Sequence, residues 1–281
     1  MITTDLTGNI GDHITRYLLC RVVAKRNKYE WSINKKTSHD YYDGIEQMEF
    51  LNIDYGIPNN TPYGQMPEGV INIWEERYEH YNTHDYCFYQ PDIFDVNDNT
   101  KLVIRCAHDA NYYNRDQVIK WLKIKEDKIE QYKGILSDCN IDLDNENLCI
   151  LNCRGGEYRG VPSLFLAMAY WQNAIENMIK KNPKMEFIVV TDDPQYFRKV
   201  FSCPVYHFNI GCDYYIVNNA KNLIISNSAF GIFSSWTNPH NPYVIAPKYW
   251  ARHNVSTGYW ANSDIATFGW NFMDREGKID K

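Results

Sequence analysis

Two stretches of this chain gather the residue types that hold an anion. The first, Asn152-Cys153-Arg154-Gly155-Gly156-Glu157-Tyr158, sets an arginine behind an apolar run and beside two glycines. A guanidinium delivered to a strand end is a fork of donors for phosphate or carboxylate, and glycines let a ligand approach the backbone. Glu157 can orient that arginine or act on a substrate hydroxyl; equally, the two can simply pair with each other. The second stretch, Ser226-Asn227-Ser228-Ala229-Phe230-Gly231, follows an apolar run with small polar residues that open a helix. Free amides there favour an anion, although Ser226 or Ser228 is also an ordinary N-cap.

The turn Gly8-Asn9-Ile10-Gly11-Asp12-His13 lacks the GxGxxG spacing and has no Walker lysine, so a dinucleotide or P-loop reading is poor. Asp12 and His13 stand at a helix start as acid–base candidates, though Asp12 also suits a cap; His108-Asp109 is another such pair. Asp192-Asp193 and Asp142-Leu143-Asp144 look like carboxylate metal ligands, but the former precedes Pro194 in a cap setting and the latter sits in a polar connecting stretch. The histidines show no HExxH spacing, so chemistry without a metal is expected.

Elements must carry these residues to one place. Apolar runs and helical stretches alternate at βαβ spacing through the second half. Residues 148–153 form a buried strand, Pro162 opens a helix carrying Leu164, Phe165, Ala167, Met168, Trp171 and Ile175, and residues 186–190 form the next strand. Thr191-Asp192-Asp193-Pro194 supplies an N-cap with proline at the first helical position. A short strand over 205–208, a helix capped by Asp213 and running to Ala220, a strand at 223–225, a helix after Asn227-Ser228 and a last strand at 243–246 complete the pattern. This is a doubly wound α/β half with ligand-facing loops after each strand. The first half opens likewise: strand 1–4, helix 13–25, strand 29–33, a weakly patterned region to residue 99, strand 102–106 and a long charged helix over 116–136. A boundary in the polar stretch 137–147 divides the chain into two Rossmann-like halves, 1–140 and 147–281, facing a cleft.

Composition narrows the function class. At 281 residues the chain is long enough for about two cores, which excludes small disulfide scaffolds. Lys plus Arg is 29 against 35 Asp plus Glu, so no uniformly basic nucleic-acid surface exists and a polyanion must be held by a few placed cations. Eight cysteines are spread singly with no CxxC, and read as free buried thiols. No window nears the ~18 apolar residues of a membrane span, and the N-terminus lacks a signal-peptide pattern, so a cytoplasmic protein is expected. The tyrosine-rich stretches Tyr41-Tyr42, 78–89 and Tyr112-Tyr113 suit sugar stacking or plain cores.

Taken in order, these segments resemble glycosyltransferase family 11, the α-1,2-fucosyltransferases, within the superfamily that shares an HxRRxD motif. The stretch from Thr7 to Tyr17 is similar to the family's opening GGLGNQxFQY, Asn152 to Tyr158 to HxRRGDY, and Phe187 to Asp193 to a strand ending in SDD. Ile224 to Trp236 is similar to IxANSTFSWWGAW, and Val244 to Trp250 to VIAPKxW. The resemblance implies a GT-B architecture and an inverting glycosyltransferase with no metal and no cofactor beyond its nucleotide-sugar donor, GDP-fucose. The implied acceptor is a glycan hydroxyl, α-1,2 to galactose. By the same resemblance Arg154 is the cation for the donor diphosphate, Asn227, Ser228, Ala229 and Phe230 its helix-start partners, and Asp192 or Asp193 lies near the nucleoside. Asn152 and the turn of Gly8, Asn9 and Gly11 join the donor set, 1–140 is the acceptor-side domain and 147–281 the nucleotide-sugar domain, and Asp12 is the first-choice base with Glu157, His13 or His108 as alternatives. The family's His is Asn152 here, its second Arg is Gly155 and its Asp is Glu157. Another nucleotide sugar, or a catalytically silent nucleotide- or glycan-binding protein, is therefore the alternative, while the missing GxGxxG disfavours an oxidoreductase.

Overall fold

The computed structural model describes residues 1–6, 8–34, 44–58, 94, 96, 109–255 and 267–280, and the backbone of strands 71–75 and 102–104. His108, Cys87, Cys106, Tyr41-Tyr42 and the 78–89 stretch lie outside the described residues. The chain divides into two compact units, Met1–Lys123 with Ser263–Thr267, and Ile124–Asn262 with Phe268–Lys281. Each is α/β, built on its own mainly parallel sheet.

In unit 1, strands β1 (Ile2–Asp5), β2 (Trp31–Asn34), β3 (Ile71–Glu75) and β4 (Leu102–Ile104) pair in parallel in the order β2-β1-β3-β4. Helix α1 (Ile10–Asn27) is buried almost all round from Ile10 to Ala24, as a helix covered on several sides must be. It begins three residues earlier than its apolar pattern suggests because the Asn9 amide donates to Asp12 Oδ2 at 3.0 Å, closing the first turn. Gly8 has φ +84°, and a Cβ there would lie 2.2 Å from that same Asp12 oxygen, so the glycine is demanded by the cap. A short helix α2 (Gly44–Gln47) follows β2.

The long charged helix expected over 116–136 is two helices, α3 (Arg115–Trp121) and α4 (Glu126–Asp138). Between them Leu122 and Ile124 are both buried while Lys123 is not, an alternation that a continuous helix cannot satisfy. The division between the two units falls inside this break.

Among its described residues unit 2 carries seven strands: β5 (Leu148–Cys153), β6 (Glu186–Thr191), β7 (Val205–Tyr206), β8 (Asn222–Ile225), β9 (Tyr243–Pro247), β10 (Asn271–Met273) and β11 (Ile279–Asp280). Their order is β11-β10-β9-β8-β5-β6-β7, with every pairing parallel except β10 with β11. The chain starts in the middle, builds outward to β7, then returns to the other side of β5. The order thus reverses between β5 and β8, the switch point at which doubly wound sheets open a crevice at their carboxyl ends. Both strands are buried along their whole length, as an apolar run covered on two faces requires.

Helices α5 (Met168–Lys181), α6 (Pro194–Val200), α7 (Ile210–Asn219) and α8 (Ala229–Trp236) cover this sheet. Trp171, Tyr170 and Met178 of α5 and Phe197 of α6 pack with Leu151, Val189 and Ile224 in the core. Two expectations are corrected. Pro162 does not open a helix: residues 156–160 form a 3-10 turn and α5 starts at Met168, because Leu164 and Leu166 are buried with strand-like alternation. Asp213 does not cap α7; Asn209 does, accepting from the Cys212 amide at 2.9 Å, and Asp213 is buried inside the helix. Strands β10 and β11 are too short to leave an alternation signal. Among the described residues no helix is long and apolar enough to cross a membrane, and six cysteines, Cys20, Cys139, Cys149, Cys153, Cys203 and Cys212, are free thiols.

Candidate functional site

Strand β5 hands Arg154 to the carboxyl edge, where two carboxylates meet it. Its guanidinium donates to Asp192 Oδ2 and, at 2.8 Å, to Glu157 Oε1, and lies 5.3 Å over the Tyr158 ring. Burial works against the charge, but Asp192 and Glu157 outweigh it and hold the guanidinium above its ordinary pKa. The other oxygen of Asp192 accepts from the Gly155 amide at 2.7 Å, so one aspartate braces both the side chain and the turn. Asp193 caps α6 through the Tyr196 amide at 3.2 Å and pairs with Arg159 at 2.9 Å. Two guanidinium groups thus stand among three carboxylates.

The glycines here serve a different end from the one expected. A Cβ at Gly155 would lie 2.5 Å from Asp193 Cβ and 3.0 Å from the Phe197 ring, and one at Gly156, whose φ is +42°, would lie 2.7 Å from Asp192 Oδ2. The room they leave is filled by the aspartates of the β6 loop, not held open for a ligand. That packing leaves no room for a side chain at position 155.

Strand β8 delivers the second half of the site. Asn152 pairs with Ile225 across the β5–β8 ladder and its carbonyl accepts from the Ser226 amide at 3.0 Å, so Arg154 and Ser228 leave neighbouring strands at the same end. Gly231 lets the first turn of α8 sit on Asn152, whose Oδ1 is 2.7 Å from where a Cβ would be. Asn227 is a structural anchor on one side: its Nδ2 donates to the carbonyls of Leu164, at 2.9 Å, and Trp250. Ser228 occupies the N-cap position of α8 with extended backbone but makes no side-chain cap bond. Ser226 Oγ and Asn227 Oδ1 are buried with no hydrogen-bond partner among the described residues. The start of α8, with Ala229 and Phe230 in its first turn, therefore offers uncapped amides beside unspent acceptors and hydroxyls.

Of the unit 1 candidates, Asn9 and Asp12 form the start of α1, Gly11 is buried in its first turn, and His13 is 0% exposed, presenting no surface to a substrate. Tyr112 and Tyr113 are buried and meet edgewise at 6.1 Å, which makes them core rather than a sugar platform. In unit 2, Asp142 turns its own loop by accepting from the Asp144 amide at 2.9 Å, and Lys221 donates to Glu146 and to the Asp144 carbonyl, each at 2.8 Å. Among the described residues no three His, Cys, Asp or Glu side chains gather as a metal site.

One pair at this edge was not anticipated. His207, just beyond β7, has Nδ1 2.7 Å from Asp213 Oδ2, while Asp213 Oδ1 accepts from the Phe208 amide at 3.1 Å. The hydrogen bond to Asp213 raises the His207 pKa, and burial raises that of Asp213. No motif marks the pair; only the position of residue 207 after a short strand would have drawn attention to it.

No family model matches the chain. A curated protein, the O-antigen biosynthesis glycosyltransferase WbnK of Escherichia coli, is 26% identical over 155 residues, which is 50% of this chain and 51% of WbnK. The chain thus spans about half the length of the curated relative it matches. Among solved structures, a family 9 glycosyl transferase from Veillonella parvula has a TM-score of 0.49 at 13% identity, covering 88% of this chain and 80% of its own. Fucosyltransferase NodZ from Bradyrhizobium has a TM-score of 0.47 at 12% identity, over 86% of this chain and 96% of its own. The E. coli ADP-heptose lipopolysaccharide heptosyltransferase II has a TM-score of 0.46 at 9% identity, over 94% and 87%.

Proposed function

We propose that this protein is a GT-B glycosyltransferase whose unit 2 binds a nucleotide sugar, GDP-fucose, and that it passes the sugar with inversion to a glycan hydroxyl, α-1,2 to galactose. The observation that carries this reading is the switch-point pair: Arg154 from β5, and an α8 N-terminus from β8 whose Ser228 makes no side-chain cap bond. The sequence likeness to WbnK supports the transferase class. Glycosyl transfer needs charge stabilised on a departing diphosphate while an oxygen attacks the anomeric carbon from the opposite face. Arg154 and the amides at the start of α8 meet the first need without a resident metal, at roughly 2.7–4 kcal/mol per well-placed donor. Arg154 must first exchange Asp192 or Glu157 for phosphate oxygens. For the acceptor hydroxyl we assign Asp12 as base, with Glu157 as the alternative, to be separated by the pH–rate profiles of D12N and E157Q.

The test is transfer from a panel of GDP, UDP and dTDP sugars to β-galactosides, with binding followed by calorimetry. GDP-fucose is expected to be turned over, and R154A to lose transfer while keeping the wild-type circular dichroism spectrum. An R154A protein with full activity removes Arg154 from the reaction. Binding without turnover of any donor leaves the silent binding protein as the correct reading.

A further inference from the structure

Three successive strand ends of unit 2 carry polar groups in a row: Arg154 after β5, Asp192 and Asp193 after β6, and His207 after β7. Neighbouring parallel strands are about 4.8 Å apart, so His207 stands roughly 10 Å along the carboxyl edge from the switch point. In doubly wound sheets a diphosphate held at the first strand end directs its nucleoside over the second, where an acidic residue meets the ribose. The third strand end is then the place of the base, provided that the donor-site reading above holds.

His207 is prepared for contact rather than packed away. Its side chain is 39% exposed, whereas Asp213 is 8% exposed and has both oxygens engaged, one by Nδ1 and one by the Phe208 amide. The imidazole is thereby oriented by a rigid partner on α7, and Nε2 has no partner among the described residues. Tyr206 and Phe208 stack on each other at 5.4 Å, so the residues flanking His207 face one way, as alternation along an extended chain requires.

We propose that His207, oriented by Asp213, donates from Nε2 to an oxo group on the donor's nucleobase, so that the site takes guanine or uracil in preference to adenine or cytosine. The matching amino group on adenine or cytosine presents a donor where the site presents a donor. The charged groups facing His207 are Asp213 from α7 and, at longer range, Asp192 from the end of β6; from α6, Arg198 donates to the Val205 carbonyl of β7 itself at 3.3 Å. The Asp213 hydrogen bond and both carboxylate charges favour the imidazolium, the form in which Nε2 carries a proton beside an occupied Nδ1.

The test is calorimetric titration of the full chain with GDP, ADP, UDP and CDP at about pH 6 and about pH 8. At the lower pH the oxo base of whichever pair binds is expected to be favoured roughly tenfold or more, the scale of a charge-assisted hydrogen bond. The preference should fall at the higher pH and vanish in H207F. Because H207F strands a buried carboxylate, H207F/D213N is measured beside it. R154A is expected to weaken all four ligands alike and keep the preference. Equal affinity for oxo and amino bases, or a preference unchanged in both His207 variants, overturns this assignment while leaving the donor site intact. Failure of all four to bind the wild-type chain overturns the donor site itself, and this assignment with it.

Discussion

At the scale of single residues, the site is defined by what Asp192 does. Its two oxygens hold Arg154 and the Gly155 amide together, which makes it a competitor of any phosphate for the guanidinium. D192N keeps an acceptor for the amide and removes the competing charge. It is therefore expected to bind inorganic pyrophosphate several-fold more tightly, by calorimetry, and weaker binding would show that the carboxylate is not a competitor. Gly155 gives a second expectation. G155A places a Cβ against Asp193 and Phe197, and should destabilise the protein by about 1–3 kcal/mol in urea unfolding, as overpacking does. A neutral result would mean that the β6 loop yields at no cost. Arg154, Glu157, Asp192 and Asp193 were all legible as residues of interest from type and spacing alone. Their mutual pairing was legible only for Arg154 with Glu157, because Asp192 lies 38 residues away along the chain.

At the scale of elements, α6 and α8 begin in contrasting ways. Asp193 spends its side chain on the Tyr196 amide, whereas Ser228 spends nothing on α8. Replacing each by alanine separates structure from binding. D193A should cost about 1 kcal/mol of stability, the ordinary loss for an N-cap, and S228A markedly less. S228A should instead weaken nucleoside diphosphate binding in the same titration. Equal stability losses would mean that Ser228 is a plain cap and would remove α8 from the phosphate site. The cap at Asp193 was readable from Thr191-Asp192-Asp193-Pro194, where proline at the first helical position announces the helix. The break between α3 and α4 was not, since lysines and glutamates run through it and conceal the two buried side chains that force it.

At the scale of the whole molecule, pH acts through a buried histidine just past the Val244 to Trp250 stretch. His253 is 2% exposed, its ring meets Tyr170 edgewise at 5.2 Å, and neither nitrogen has a hydrogen-bond partner among the described residues. Burial lowers its pKa to about 4, against 6.5 in the unfolded chain. The unfolded state then takes up a proton that the folded state refuses, so stability falls as pH drops from 6.5 toward 4 and levels off below that, by about 3 kcal/mol in all. H253F should flatten this part of the urea-midpoint profile, and an unchanged slope would assign it to other groups. Such a residue carries no signal in the chain: a lone histidine reads the same whether it is solvated or enclosed. What the amino-acid sequence determined by itself was the α/β class, most strands of unit 2, the starts of α6 and α8 and the arginine and serine stretches, because apolar periodicity and helix-start chemistry act between residues close along the chain. Only the tertiary structure decided that β5 and β8 lie side by side, that Asp192 fills the space beside the glycines, and that His207 meets Asp213. Those facts come from strand order and packing, which are set by the burial of whole faces rather than by any neighbouring residues.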